Sequence, residues 1–130
     1  MSIAVRYYSR SGNTKLLAEA IAESVNAVAI GTDKANAPII EPVDTLFIGG
    51  ALYAYGIDAN LQAYLDDIDP KNVRRAVVFS TSWISKHAID IIKKSLKAKG
   101  ITVEEQVIYA KGKPSEKSLS KAGEIAKQFV

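Results

Sequence analysis

Short apolar, strand-like runs alternate with amphipathic, helix-like segments along the whole sequence, and this alternation constrains the fold more than any other feature. Strand-like runs cover residues 3–8, 27–30, 45–49, 75–80 and 101–108, and helical periodicity covers 13–25, 58–68, 85–99 and 115–129. Leu17, Ala20 and Ile21 share one helical face. Leu61, Tyr64, Leu65 and Ile68 recur at the i, i+3, i+4, i+7 spacing, as do Ala122, Ile125, Ala126 and Phe129. Gly100 follows a lysine-rich turn and marks a helix stop. Strands that alternate with helices connect by right-handed crossovers, so the pattern predicts an α/β domain with a doubly wound parallel sheet.

The runs near Phe47 and Val78 are continuously apolar, as central strands covered on both faces must be. The last run carries Thr102, Glu104, Glu105 and Gln106 and reads as a sheet edge. Residues 31–44, with Pro38 and Pro42, read as a loop. No repeat or linker divides the chain, so a single domain over residues 1–130 is expected. The absence of cysteine excludes disulfides, thiolate catalysis and Cys-ligated metals. No apolar run approaches the roughly 18 residues of a membrane span, and no signal-peptide pattern opens the chain. The expectation is a cytoplasmic protein without membrane contact.

The net charge of +3 conceals an asymmetry. Residues 1–70 hold four Lys/Arg against nine Asp/Glu, whereas residues 71–130 hold thirteen against five. The lysines fall singly at helical spacing without interleaved aromatics, which reads as solvated helix faces rather than a nucleic-acid surface. His87 reads as a surface residue, and Asp66, Asp67 and Asp69 as a solvated cluster at a helix end. No catalytic residue and no metal site is expected.

Sheets of this kind bind ligands beyond the carboxyl ends of the strands. Three segments follow strands there: Ser9-Arg10-Ser11-Gly12-Asn13-Thr14; Gly50-Ala51-Leu52-Tyr53-Ala54-Tyr55-Gly56; and Thr81-Ser82-Trp83-Ile84. The first offers hydroxyls, a glycine that admits a tight turn, and the open N–H groups of a helix start, which together suit an anion. Ser and Asn are also ordinary helix caps, so the same residues fit a plain helix start. The segment matches neither G-x-x-x-x-G-K-[ST] nor G-x-G-x-x-G. A receiver domain would place acidic residues after the first strand and a phosphoacceptor Asp after the third; residues 8–11 and 49–51 supply neither.

Together these segments resemble the flavodoxin family. The resemblance rests on Ser9-Arg10-Ser11-Gly12-Asn13-Thr14 between strand and helix, then Leu17 and Ala20-Ile21-Ala22. It continues through Phe47-Ile48-Gly49-Gly50, Tyr53, Gly56, Leu61, Tyr64-Leu65, and Ala110-Lys111-Gly112-Lys113 before a final helix. It implies a flavodoxin-like five-stranded sheet in the order 2-1-3-4-5, with helices on both faces. It also implies noncovalently bound flavin mononucleotide (FMN). The FMN phosphate would lie in the Ser9–Thr14 loop, and the ring between the second and third segments. Tyr53, Tyr55 and Trp83 would flank the ring, since aromatic faces stack on flat conjugated systems. The peptide before Gly56 would reorient toward flavin N5, and Thr81 and Ser82 would reach the ribityl chain or ring edge.

The function this implies is electron transfer with a redox partner protein. The alternatives are a small FMN-dependent oxidoreductase, acting on a quinone, a porphyrin precursor or NAD(P)H, and a binding module that has lost flavin. The sequence departs from familiar flavodoxins in three respects. It is basic rather than acidic, its third segment lacks the usual Gly-Asp pair followed by an aromatic, and its 31–44 region is short.

Overall fold

Successive strand residues point to opposite faces of the sheet, and apolar residues occupy both directions, so both faces require helical cover. The computed structural model describes residues 2–53, 56–82 and 86–130. Strand β1 (Ile3–Tyr7) leads to α1 (Asn13–Ser24), β2 (Ala29–Gly31), β3 (Val43–Ala51) and α2 (Ala59–Asp67). A 3-10 turn (Pro70–Asn72) precedes β4 (Val73–Ser82), α3 (His87–Ala98), β5 (Thr102–Val103), β6 (Ile108–Lys111) and α4 (Glu116–Lys127). The sheet runs β2-β1-β3-β4-β5, β6 also pairs with β4, and every pairing between strands is parallel.

This is the expected 2-1-3-4-5 order, with one correction: the fifth position holds two short strands rather than one run over 101–108. Ala76 opposes Val103 and Phe79 opposes Ile108, so three steps along β4 face five on its neighbour and two residues are looped out. The cause is side-chain polarity. Glu105 and Gln106 are exposed where a continuous strand would alternate inward, while Ile108 and Ala110 return to the core at 1% and 3% exposure. The two central strands also run further than the apolar pattern suggests. Ala51, Thr81 and Ser82 close β3 and β4 instead of opening loops.

One face packs Ala4, Leu46, Ile48 and Val78 beneath Leu61 and Leu65 of α2 and Ile92 and Leu96 of α3. The other packs Val5, Phe47, Val77 and Phe79 beneath Leu17 and Ile21 of α1 and Ala122 and Ala126 of α4. Gly49 is dictated by packing: a Cβ there would lie 2.3 Å from the Phe79 carbonyl oxygen and 2.4 Å from its ring.

The 31–44 region forms no helix. The buried Arg6 and the half-buried Tyr64 tie it down instead, since Arg6 Nε and the Tyr64 hydroxyl both donate to the Ala37 carbonyl at 2.6 Å. A cleft of ≈ 290 Å³ beside it is lined by Thr32, Ile39, Asn60, Tyr64 and Ile68 among others, and by none of the candidate site residues.

Candidate functional site

The turn from β1 into α1 is built to leave donors open. Gly12 takes φ 93°, a left-handed conformation that glycine adopts without steric cost, and its missing Cβ would meet nothing within 4 Å. Backbone conformation rather than crowding therefore requires this glycine. Ser9 Oγ accepts the Gly12 N–H at 2.9 Å, and Ser11 Oγ accepts the Asn13 N–H at 3.4 Å. Each serine thereby uses a lone pair within the loop and keeps its hydroxyl hydrogen for an external acceptor.

Among the described residues, no acceptor takes the N–H groups of Ser11, Thr14 or Lys15. Helix α1 has neither a side-chain cap nor an acidic residue in its first turn. By contrast, Asp58 caps α2, Asp90 lies in the first turn of α3, and Ser115 and Glu116 serve α4. The positive end of the α1 dipole is thus uncompensated, which favours an anion there.

Thr14 and Thr81 lie under this turn, at 1% and 3% exposure, with their hydroxyl oxygens 2.7 Å apart. This bond joins the start of α1 to the carboxyl end of β4. It brings together Thr14 and Thr81, which the sequence offered in separate segments.

Arg10 joins the first segment to the second. Its backbone N–H donates to the Tyr53 hydroxyl at 3.1 Å, and its guanidinium lies 3.9 Å from the Tyr53 ring centroid. Its Nε donates to Asp58 Oδ2 at 2.9 Å, and Nη2 bonds the same oxygen. The other Asp58 oxygen accepts the Asn60 N–H at 2.8 Å and caps α2. Partial burial opposes ionisation of Asp58, but the Arg10 guanidinium and the Asn60 N–H outweigh it and hold the carboxyl below its ordinary value. Burial pushes the Tyr53 phenol up, partly offset by Arg10, so it stays protonated at ordinary pH.

Tyr53 and Gly56 then pair with each other as an isolated antiparallel bridge. The Tyr53 N–H donates to Gly56 O at 2.7 Å, and the Gly56 N–H donates to Tyr53 O at 2.6 Å. Reorientation of the peptide before Gly56 would break the second bond. Ala54, Tyr55 and Trp83, which the sequence offered as site residues, lie outside the described residues. Ala51 and Leu52 lead into the bridge from β3, half-buried.

On the opposite side, Ser82 O accepts the Tyr109 hydroxyl and the Gly112 N–H, each at 3.0 Å, so β6 and the turn after it back the third segment. Lys86 Nζ lies 5.0 Å from the Tyr109 ring centroid. The roles of Tyr109 and of the Asp58 carboxylate are missing from the sequence reading. Asp58 carried a signal as the residue before an apolar helical face. Its pairing with Arg10 spans 48 positions and has no local signature.

The site therefore combines an open anion cradle, a clamped aromatic bridge and a third segment, all at the carboxyl edge of β1, β3 and β4. The flavodoxin-domain family model matches residues 4–122. The chain belongs to the flavodoxin family.

Solved flavodoxin structures share its fold across nearly their whole length. An archaeal flavodoxin aligns with a TM-score of 0.76 at 23% identity, over 99% of this chain and 96% of that one. Oxidised flavodoxin 1 of Bacillus cereus aligns at 0.81 and 22%, over 98% and 97%. The rubredoxin oxygen:oxidoreductase of Desulfovibrio gigas aligns at 0.86 and 15%, over 98% of this chain but 34% of that larger one. An uncharacterized protein of Methanocaldococcus jannaschii is 26% identical over 136 residues, 91% of this chain and 90% of that one. Among the described residues no helix is long and apolar enough to cross a membrane, and no cluster of His, Cys, Asp or Glu could hold a metal ion.

Proposed function

We propose that this flavodoxin-family chain binds FMN without a covalent link and carries electrons between redox partner proteins. The observation that carries the reading is the cradle at the start of α1. The Ser11, Thr14 and Lys15 N–H groups are open, and the Ser9 and Ser11 hydroxyls keep their hydrogens. These donors fit a phosphate monoester at a helix N-terminus. Tyr53 stands beside the cradle, with one ring face covered by Arg10. That leaves its edge and other face for a flat conjugated ring. FMN, when bound, supplies reversible electron uptake on its ring, while the protein supplies binding, orientation and electrostatics.

Titration with FMN tests this reading. Binding should perturb the flavin absorbance spectrum. At about 100-fold excess over Kd it should stabilise the fold by about 2.7 kcal/mol, which for a domain of this size is about 10 °C in Tm. The absence of both a spectral change and a Tm shift at saturating FMN would overturn the proposal. Reduction of the loaded protein should require a partner reductase, and steady NAD(P)H oxidation by the protein alone would favour a stand-alone oxidoreductase.

A further inference from the structure

We infer that Arg10 is a positioning residue that holds the Tyr53–Gly56 bridge and Asp58 in place from within the Ser9–Thr14 loop, without itself holding the anion. The inference rests on the site assigned above and adds a role for a side chain that the anion cradle does not use.

Three contacts converge on this one residue. Its backbone N–H is committed to the Tyr53 hydroxyl, so it is not among the donors left without an acceptor. Its guanidinium covers the Tyr53 ring at 3.9 Å. Its Nε and Nη2 both bond Asp58 Oδ2, so its charge is directed to the N-cap of α2. Asp58 follows Gly56 by two positions, so Arg10 grips the segment at both ends: the Tyr53 ring and the Asp58 carboxylate.

An isolated antiparallel bridge held by one pair of backbone bonds is marginal without further support. Here that pair is Tyr53 with Gly56. A planar guanidinium suits the task. It stacks on an aromatic face and forks two donors toward a carboxylate, which a lysine ammonium cannot do together. The Tyr53–Gly56 bridge is thereby held in place before any ligand arrives, which lowers the ordering cost of binding.

Amide hydrogen exchange on the ligand-free protein tests the inference directly. In Arg10→Ala, exchange at the Tyr53 and Gly56 amides should accelerate by about tenfold or more, while the amides of Ile48 in β3 and Ile21 in α1 remain unchanged. Arg10→Lys should give only partial protection. Because the side chain is 55% exposed, the variants should fold, and the unchanged core amides check this.

Titration with inorganic phosphate, followed by amide chemical shifts at Thr14 and Lys15, supplies the second readout. Phosphate affinity should stay within about twofold of wild type in Arg10→Ala, while FMN affinity falls several-fold. Unchanged exchange at Tyr53 and Gly56 would overturn the inference. So would a large loss of phosphate affinity, which would make Arg10 a direct anion ligand. If the wild type binds no FMN, the flavin reading fails, but the exchange measurement still decides the role of Arg10.

Discussion

Replacing Thr14 by valine keeps the side-chain shape and removes one hydroxyl. In the native structure that hydroxyl lies 2.7 Å from Thr81 Oγ1, and the two residues are 1% and 3% exposed. Thr14→Val therefore leaves the Thr81 hydroxyl without its partner and without water. Orphaning a buried hydroxyl costs about 1–3 kcal/mol, more than the net worth of an ordinary hydrogen bond. Thr81→Val orphans Thr14 and should cost a similar amount. The double variant removes both polar groups and should recover much of the loss, because replacing both partners by apolar groups of the same shape is close to neutral. The two single losses together should thus exceed the double loss by roughly 2 kcal/mol or more, a coupling energy well above the ~0.5 kcal/mol of independent sites. Urea denaturation of the ligand-free protein measures all four states. For a domain of 130 residues, thermal melting should show each single variant lowered by about 4 °C per kcal/mol. Additive losses in the two single variants would refute the argument, since the hydroxyls would then not be exchanging their bond in the fold.

Two glycines should respond for opposite reasons. Gly49→Ala forces a Cβ to within 2.3 Å of a backbone oxygen and should lower the denaturation midpoint by at least the ~1–3 kcal/mol of an overpacked core. Gly12→Ala meets no atom but is held at φ 93°, so it should cost about 1–2 kcal/mol and distort the anion cradle. Its phosphate affinity should fall further than that of Gly49→Ala. Asp58 makes a pH prediction. Its pKa is lowered in the folded chain, so its contribution is complete above the ordinary value of about 3.9 and is lost as pH falls through the lowered value. Asp58→Asn should flatten the acid limb of a stability-against-pH curve in that window and leave the slope near neutrality unchanged.

The apolar runs and helical spacings made the sheet order and both packed faces legible, because each depends on side chains close together in sequence. Leu61 and Leu65 point inward for the same reason that their spacing predicts. The interrupted fifth strand was less legible. Its polar residues marked an edge, but whether polar residues line a strand or leave it depends on the neighbouring β4, which no local pattern describes. The Ser9–Thr14 loop pointed to an anion site through residue type and position. Its tether to Tyr53 and Asp58 had no such signal, because Arg10 reads only as a member of the phosphate loop until the fold brings positions 53 and 58 beside it. Thr81 reads as opening a loop, and it is instead a strand residue buried against Thr14 because β4 runs on to Ser82.

The broken fifth position also changes how the sheet meets the outside world. A strand margin with a long row of unpaired amides and carbonyls is a template on which another chain can add itself. Here one margin is β2, three residues long, and the other is divided into pieces of two and four residues. Glu104 and Glu105 stand at the division, where carboxylates would meet carboxylates if two copies aligned margin to margin. The same polarity that interrupts the strand thus leaves this margin without a continuous row of unpaired amides and carbonyls for a neighbouring copy to extend.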